Sequence, residues 1–371
     1  MNIMVVSRIQ VNSEIGHGAI KGRGTPVNPP NRFERAHGEA FDDGWDLPKE
    51  DATKPQTMLI RDATRSIITR NDSPDIAFGQ SVNPYRGCEH GCIYCFARPS
   101  HAYLGFSAGL DFETKIVFKP EAPRLLEKEL SRAGYKPAVI VLGSNTDPYQ
   151  PVERTLGLTR AILEVLEKFG NPVGIVTKSA GVLRDADILA RMASKRLARV
   201  FISVTTLDPT LARTLEPRAA SPARRLSVIR ELSAQGIPVG VMASPMIPGV
   251  NDAEMESIVE AAAKAGARSA HTTLVRLPHE LAPLFVDWLE KHLPGRASHV
   301  LSLIRQSRGG KLNDPDFHSR FTGSGPYVEM LHQRFARAVK QFGLEGGNAV
   351  LDCSQFAVPR ATPAAGQLSL F

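Results

Sequence analysis

Six short strand-like runs alternate with amphipathic helices through the middle of this chain, and that alternation restricts the fold more than any other feature. The runs are Ser81–Asn83, Ala138–Leu142, Pro172–Thr177, Ala198–Thr205, Pro238–Met242 and Ser269–Val275. A strand wetted on one face alternates polar and apolar residues, whereas Ala138-Val-Ile-Val-Leu142 is apolar throughout and asks to be covered on both faces. Helical periodicity fills the intervals. Glu121–Ala133 carries Leu125, Leu126 and Leu130 on one side, and Val152–Phe169 carries Leu156, Ile162, Leu163 and Leu166. Arg184–Lys195, Ser221–Gln235, Asp252–Ala265 and Leu281–His292 follow the later strands. Buried strands separated by helices make a parallel sheet. Six such units in roughly 220 residues are fewer than a closed eightfold barrel uses. The expectation is an α/β fold, a partial (β/α)6 TIM-like barrel, with a doubly wound open sheet as the alternative.

Extensions flank this unit. In residues 1–75 the glycines Gly16, Gly18, Gly22 and Gly24 and the prolines Pro26, Pro29 and Pro30 interrupt any periodicity. After Gly309 one amphipathic helix is expected at Pro326–Phe342, with Val328, Leu331, Phe335 and Val339 on one face, and the end through Leu-Ser-Leu-Phe371 has no pattern. The organisation is thus an extension (1–75), the barrel (76–305), and a C-terminal helix with a mobile tail (306–371). No run of about 18 apolar residues spans a membrane. The apolar patch Ile3–Val6 lacks the flanks of a signal peptide. Four cysteines without a disulfide framework suit a reducing compartment, so a cytoplasmic protein is expected.

Three of those cysteines stand close together in Asn83-Pro-Tyr-Arg-Gly-Cys-Glu-His-Gly-Cys-Ile-Tyr-Cys-Phe96, at Cys88, Cys92 and Cys95. Gly87 and Gly91 permit the tight turns that bring three sulfurs toward one point. A cluster iron normally takes its own cysteine, so three thiolates suit an iron–sulfur cluster with one iron left open. Zinc is the alternative, with His90 completing a Cys3His set, though four ligands within so short a loop would be cramped. A disulfide would leave one thiol over.

The spacing, with Tyr94 before the last cysteine, resembles the signature of radical S-adenosylmethionine (SAM) enzymes. The longer string through Phe-Ala-Arg-Pro-Ser-His101 is similar to the branch related to spore photoproduct lyase, the DNA repair photolyase-like proteins. The resemblance runs from about Ser81 to Pro283. It implies a radical SAM partial barrel, a 4Fe–4S cluster on Cys88, Cys92 and Cys95, and SAM on the open iron. It also implies a 5′-deoxyadenosyl radical, an electron donor such as a flavodoxin or ferredoxin, and a damaged or modified nucleic acid as the substrate to test first. A zinc-bearing nucleic-acid binding protein and an iron–sulfur redox protein are the rival functions.

Ligands of parallel βα folds bind where the strands end. Ser144, Asn145 and Asp147 follow the second strand, Thr177 and Lys178 end the third, and Ser203 and Thr205 lie on the fourth. In the lyase branch a lysine after the third strand and a serine on the fourth contact SAM, and Lys178 and Ser203 sit at matching positions. Tyr94, Ser144, Asn145, Lys178 and Ser203 are therefore the candidate SAM contacts. Tyr94 and Phe96 would flank and shield the cluster, Tyr94 stacking on adenine, with core packing an equal account of Phe96. Met242–Asp252 would form an adenine-side wall or a rigid turn into the next helix, and Arg218 would pair at the surface. The same branch returns a hydrogen atom through an extra cysteine soon after the cluster loop. Here none lies between Cys95 and Cys353, and Cys353 reads as inert. The net charge is +7, and residues 191–230 hold nine Arg/Lys against Asp208 and Glu216. That stretch is either a set of solvated helix faces or a phosphate-contacting rim.

Overall fold

The structure is a computed structural model that describes residues 20–34, 55–345 and 350–359. The readings at Ile3–Val6, at Gly16 and Gly18, and at the C-terminal Leu-Ser-Leu-Phe371 lie outside the described residues.

Six parallel strands form the main sheet: β1 (Gln80–Val82), β2 (Ile140–Leu142), β3 (Val173–Thr177), β4 (Ala198–Ser203), β5 (Val239–Met246) and β6 (Ser269–Leu274). They pair in chain order, Gln80 opposite Ile140, Ile140 opposite Val173, Val173 opposite Ala198, Val200 opposite Val239 and Ser269 opposite Gly240. A short strand, Ile68–Arg70, runs antiparallel outside β1, and it does not bond to β6 at the other edge. This is the partial barrel of six βα units, with an open seam between its first and last strands.

The chemistry of the strands explains the layers. Val173, Ile175, Val200, Ile202, Val239 and Val241 form one buried cluster with Leu163, Leu166, Ile188, Leu189, Val228 and Ile258 of the covering helices. Strand residues alternate faces, so Gly174, Phe201, Ser203 and Gly240, which are absent from that cluster, point into the barrel. Each fully buried Leu or Ile in the outer layer contributes about 1.5–3 kcal/mol.

The expected helix over Val152–Phe169 is instead two helices, Glu153–Leu156 and Leu158–Phe169. Gly157 between them adopts φ +63°, a left-handed conformation that ends one helix and begins the next. The fifth strand runs four residues beyond Met242, to Met246. Two helices had no signal strong enough to read, Pro209–Leu215 and Ala297–Gln306. So did a small sheet of Met58–Arg61, Lys115–Phe118 and Tyr85–Arg86, whose strands are too short to show a period.

A second core sits on the end of the barrel where the strands finish. Ile93 and Tyr94 of the cysteine loop pack there with Leu215, Ile247, Val275, Phe285, Trp288, Val300 and Ile304. The Trp288 indole N–H donates to Thr214 O at 3.1 Å. The helix Pro326–Gln341 covers the barrel as expected, with Val328, Leu331 and Ala338 buried. Its Arg334 pairs with Glu256 at 2.7 Å. At the opposite end, Phe356 packs on Tyr135 and Phe169, and Ala357 N donates to Phe169 O at 3.0 Å. Phe169 precedes β3, so this tail docks at the pole where the strands begin.

Candidate active site at the ends of the strands

The cysteine loop leaves β1 and is pinned by its backbone on several sides. Cys88 N donates to Phe112 O at 2.9 Å, Ile93 N to Leu215 O at 3.0 Å and Cys95 N to Cys92 O at 3.2 Å. Gly87 and Gly91 both have left-handed φ, +79° and +68°. A Cβ on Gly91 would stand 2.6 Å from Glu113 Oε2, so a side chain is excluded there by contact as well as by conformation.

Glu113 belongs to the first of two buried ion pairs that hold the loop. Arg98 is fully buried, 2.5 Å from Glu113 Oε1, and also donates to the backbone oxygens of Gly91, Cys92, Ala108 and Gly109. The same carboxylate accepts Gly24 N at 2.9 Å, so the N-terminal segment is tied onto the loop. Further along it, Leu110 N donates to Val27 O, and Arg32 pairs with Glu280 at 2.8 Å. Burial pushes the Glu113 carboxyl up, opposed by Arg98. A guanidinium satisfied by a carboxylate and four carbonyls is a brace, and losing either partner strands a buried charge.

The second pair lies on the strand side. Glu216 is buried and accepts hydrogen bonds from Arg225, from the Tyr94 hydroxyl and, at 2.7 Å, from Thr205 Oγ1. Burial alone would raise its pKa, but Arg225 and Lys178 hold it down at about 2. Arg225 also donates to Ser203 O at 3.1 Å, fastening this group to the end of β4. Lys178 Nζ stands 3.9 Å from Glu216 Oε1 and 5.7 Å from the centre of the Tyr94 ring.

Asp147, after β2, organises the remaining strand ends. It accepts Thr177 Oγ1 at 2.7 Å and Lys178 N at 2.8 Å. His90 Nδ1 is 3.3 Å from it, near enough for ion-pair attraction but off the line of a hydrogen bond. Burial opposes ionisation of Asp147, and His90 together with these donors still depresses it to about 2. His90 is thereby directed at a carboxylate rather than at the thiols. Ser144 Oγ accepts Asn83 Nδ2 at 3.0 Å and Asn145 N donates to Asn83 Oδ1 at 3.2 Å, so both join the strand ends to the root of the cysteine loop.

Of the five expected SAM contacts, Tyr94, Lys178 and Ser203 meet around Glu216 and Arg225, while Ser144 and Asn145 meet at Asn83. Tyr94 is buried and its hydroxyl is engaged, whereas Phe96 is half exposed and not part of the core. Arg218 does not pair at the surface: its partner is the buried Glu89 inside the cysteine loop, at 3.2 Å. In the Met242–Asp252 segment, Asn251 Nδ2 donates to Thr205 O and Pro245 O. The basic stretch is not one rim. Arg191 pairs with Glu167, Arg196 with Asp352, Arg224 with Glu231, and Arg225 is buried. The braces Arg98–Glu113 and Glu216–Arg225 were missed as pairs, because partners 15 and 9 residues apart follow no helical or strand period.

The donor set fits an iron–sulfur cluster. Burial raises all three thiols, with Asp147 adding to Cys88 and Glu216 to Cys92, while Lys178 works against the rise at Cys92. Thiols held neutral in this way become ligands by exchanging their protons for a metal centre. They lie close enough to feel one another's charge. Yet among the described residues no three His, Cys, Asp or Glu side chains are grouped to hold a metal ion. A single zinc draws its ligands to one centre, whereas a cluster gives each thiolate its own iron. Cys353 lies at the far pole, beside the Arg196–Asp352 pair.

Comparison with known proteins assigns the chain to a family. Residues 82–262 match the Radical SAM superfamily. An uncharacterized protein of Mycobacterium bovis is 32% identical over 306 residues, covering 81% of this chain and 84% of that one. A radical SAM Nalpha-GlyT isomerase of Pseudomonas phage M6 is 23% identical, over 71% of this chain and 52% of the phage protein. Among solved structures, spore photoproduct lyase complexed with dinucleoside spore photoproduct superposes with a TM-score of 0.55 at 16% identity, covering 78% of this chain and 80% of the lyase. A mutant of that lyase gives 0.56 at 15% identity, covering 78% of this chain and 79% of the lyase. No helix among the described residues is long and apolar enough to cross a membrane.

Proposed function

The chain belongs to the radical SAM superfamily of enzymes, and from that premise we propose that Cys88, Cys92 and Cys95 hold a 4Fe–4S cluster whose open iron takes SAM. When bound, that pair supplies one-electron cleavage of the sulfonium to methionine and a 5′-deoxyadenosyl radical. The observation that carries the reading is the position of the three thiols, Cys88 and Cys92 buried and Cys95 half-buried, at the strand ends between two ion-paired braces.

The chain's own residues have three tasks there. Lys178, on the Tyr94 ring, would neutralise the SAM carboxylate, and Ser203, Ser144 and Asn145 would offer hydroxyl and amide groups to the ligand. Arg98 and Glu113 keep the loop in place. The buried faces of Ile93 and Tyr94 keep water out, which a reactive radical requires.

A damaged or modified nucleic acid is the proposed substrate. Support comes from the fold shared with a lyase solved with a dinucleoside photoproduct and from the chain's net charge of +7. A base in a duplex would have to be flipped out to reach a buried site. With Cys353 at the other pole, no cysteine outside the trio stands ready to return a hydrogen atom, so the outcome differs from a cysteine-finished lyase reaction. A flavodoxin or ferredoxin is the proposed electron donor, acting in the cytoplasm.

Anaerobic reconstitution tests this. The chain is expected to bind about four irons and, with dithionite and SAM, to form 5′-deoxyadenosine. A colourless protein with stoichiometric zinc would instead support the metal-binding rival. Iron without 5′-deoxyadenosine would support the redox protein.

A further inference from the structure

Three arginines gather at the open seam of the barrel with too few carboxylates for their charge. Arg276 follows β6, Arg308 lies just past the helix Ala297–Gln306, and Arg320 lies in the short helix Ser319–Thr322 packed on β6. Among the described residues only Arg320 has a carboxylate partner, Asp75 at 2.5 Å, whose loop joins the edge strand to β1. That contact reaches across the seam. Arg308 is buried and spends its four terminal N–H groups on the carbonyls of Leu274, Val275, Ser319 and Arg320. Its Nε has no partner among the described residues, and neither has Arg276 Nε.

Arg276 is half-buried and makes no hydrogen bond or ion pair among the described residues. Its guanidinium lies 4.8 Å from the centre of the Phe321 ring, and that of Arg320 lies 5.0 Å from the same ring. Burial lowers the pKa of Arg276, and Arg320 lowers it further. Burial and the charge of Arg276 push Arg308 down to about 10. Asp314, the other carboxylate felt here, is half-buried and turned to local donors, Ser319 and Asp316 N. Arginine cannot shed its proton, so a sheltered guanidinium of this kind calls for an anion from outside. Its planar fork suits phosphate oxygens best. Phe317, 54% exposed with Arg320 at 4.8 Å from its ring, offers a stacking face beside it.

We infer that Arg276, supported by Arg308 and Arg320, is a subsite for a phosphodiester group of a polynucleotide strand entering at the seam. This rests on the proposed nucleic-acid substrate. It places the contact away from residues 191–230, whose arginines are largely paired within the chain.

The test uses the full chain and a labelled single-stranded oligodeoxythymidine, read by fluorescence anisotropy between about 50 and 200 mM salt. Arg276→Gln is expected to weaken binding about tenfold and to lower the salt slope by about one. Arg224→Gln, outside the corner, is expected to bind as wild type does. The Arg276→Gln melting midpoint should equal or exceed that of wild type, since the residue braces nothing. Equal binding by Arg276→Gln and wild type, or a lowered midpoint, would overturn the inference. So would inorganic phosphate raising the wild-type midpoint while the oligonucleotide fails to bind, which would mark a small-phosphate site. Binding is measured without SAM or reductant. A chain that forms 5′-deoxyadenosine but binds no oligonucleotide sinks the subsite and leaves the cluster reading standing.

Discussion

Cys88, Cys92 and Cys95 sit at the pole where the strands end, and Cys353 sits at the pole where they begin. The first three are held by a left-handed turn, a buried Arg98–Glu113 pair and a second buried pair, Glu216–Arg225. Cys353 is held by a tail whose neighbouring ion pair is exposed on the Arg196 side and whose anchor is Phe356 on two aromatic rings. The lesson is about restraint. A thiol becomes part of a site where buried charges with single solutions fix the backbone around it, and an aromatic plug at a surface does not impose that.

The largest contrast expected is in iron. Alanine at Cys88, Cys92 or Cys95 should abolish the cluster absorbance, while Cys353→Ala should retain full iron content. Equal loss at both poles would erase the distinction. Next comes Glu113→Ala, which leaves Arg98 buried and unpaired and should cost about 3–5 kcal/mol in urea unfolding, with weakened iron binding. Asp352→Ala, which breaks the pair at the tail, should leave the unfolding midpoint unchanged within error.

Acid should separate the poles as well. His101, buried behind the cysteine loop against Phe106 and Phe112, has its pKa lowered to about 4 by burial. Above its unfolded value of about 6.5 neither state binds the proton, and the contribution is intact. Below that, the unfolded chain takes up a proton that the folded one refuses, so stability falls until pH reaches about 4. The loss can approach about 3 kcal/mol. His101→Gln should flatten this acid limb, and an unchanged limb would show that His101 does not control it. The smallest effect is expected for Lys178→Met, a roughly tenfold weaker SAM affinity at unchanged iron content. Unchanged affinity would remove Lys178 from the ligand's carboxylate.

The repeating core could be read from the chain because burial on both faces leaves a local trace. Ile140–Leu142 and Val173–Thr177 are apolar wherever the helices press on them, and the strand edges were off by only a residue or two except at the fifth strand, which runs on to Met246. Cys88, Cys92 and Cys95 were legible because one loop carries them all. The braces were not. Glu113 is an unremarkable acid in Leu-Asp-Phe-Glu-Thr until Arg98 and Gly24 close on it in space. Which of Tyr94 and Phe96 lies buried was not legible, since two aromatic residues flanking Cys95 carry no record of which one the turn directs outward. Arg276, Arg308 and Arg320 form a cluster only because the partial barrel leaves a seam there.

The account depends most on an open iron at the thiol trio. Electron paramagnetic resonance of the reduced, reconstituted chain tests it directly: a 4Fe–4S signal should appear and its g-values should shift when SAM is added. A cluster signal indifferent to SAM, or none under reducing conditions with all three cysteines intact, would contradict it.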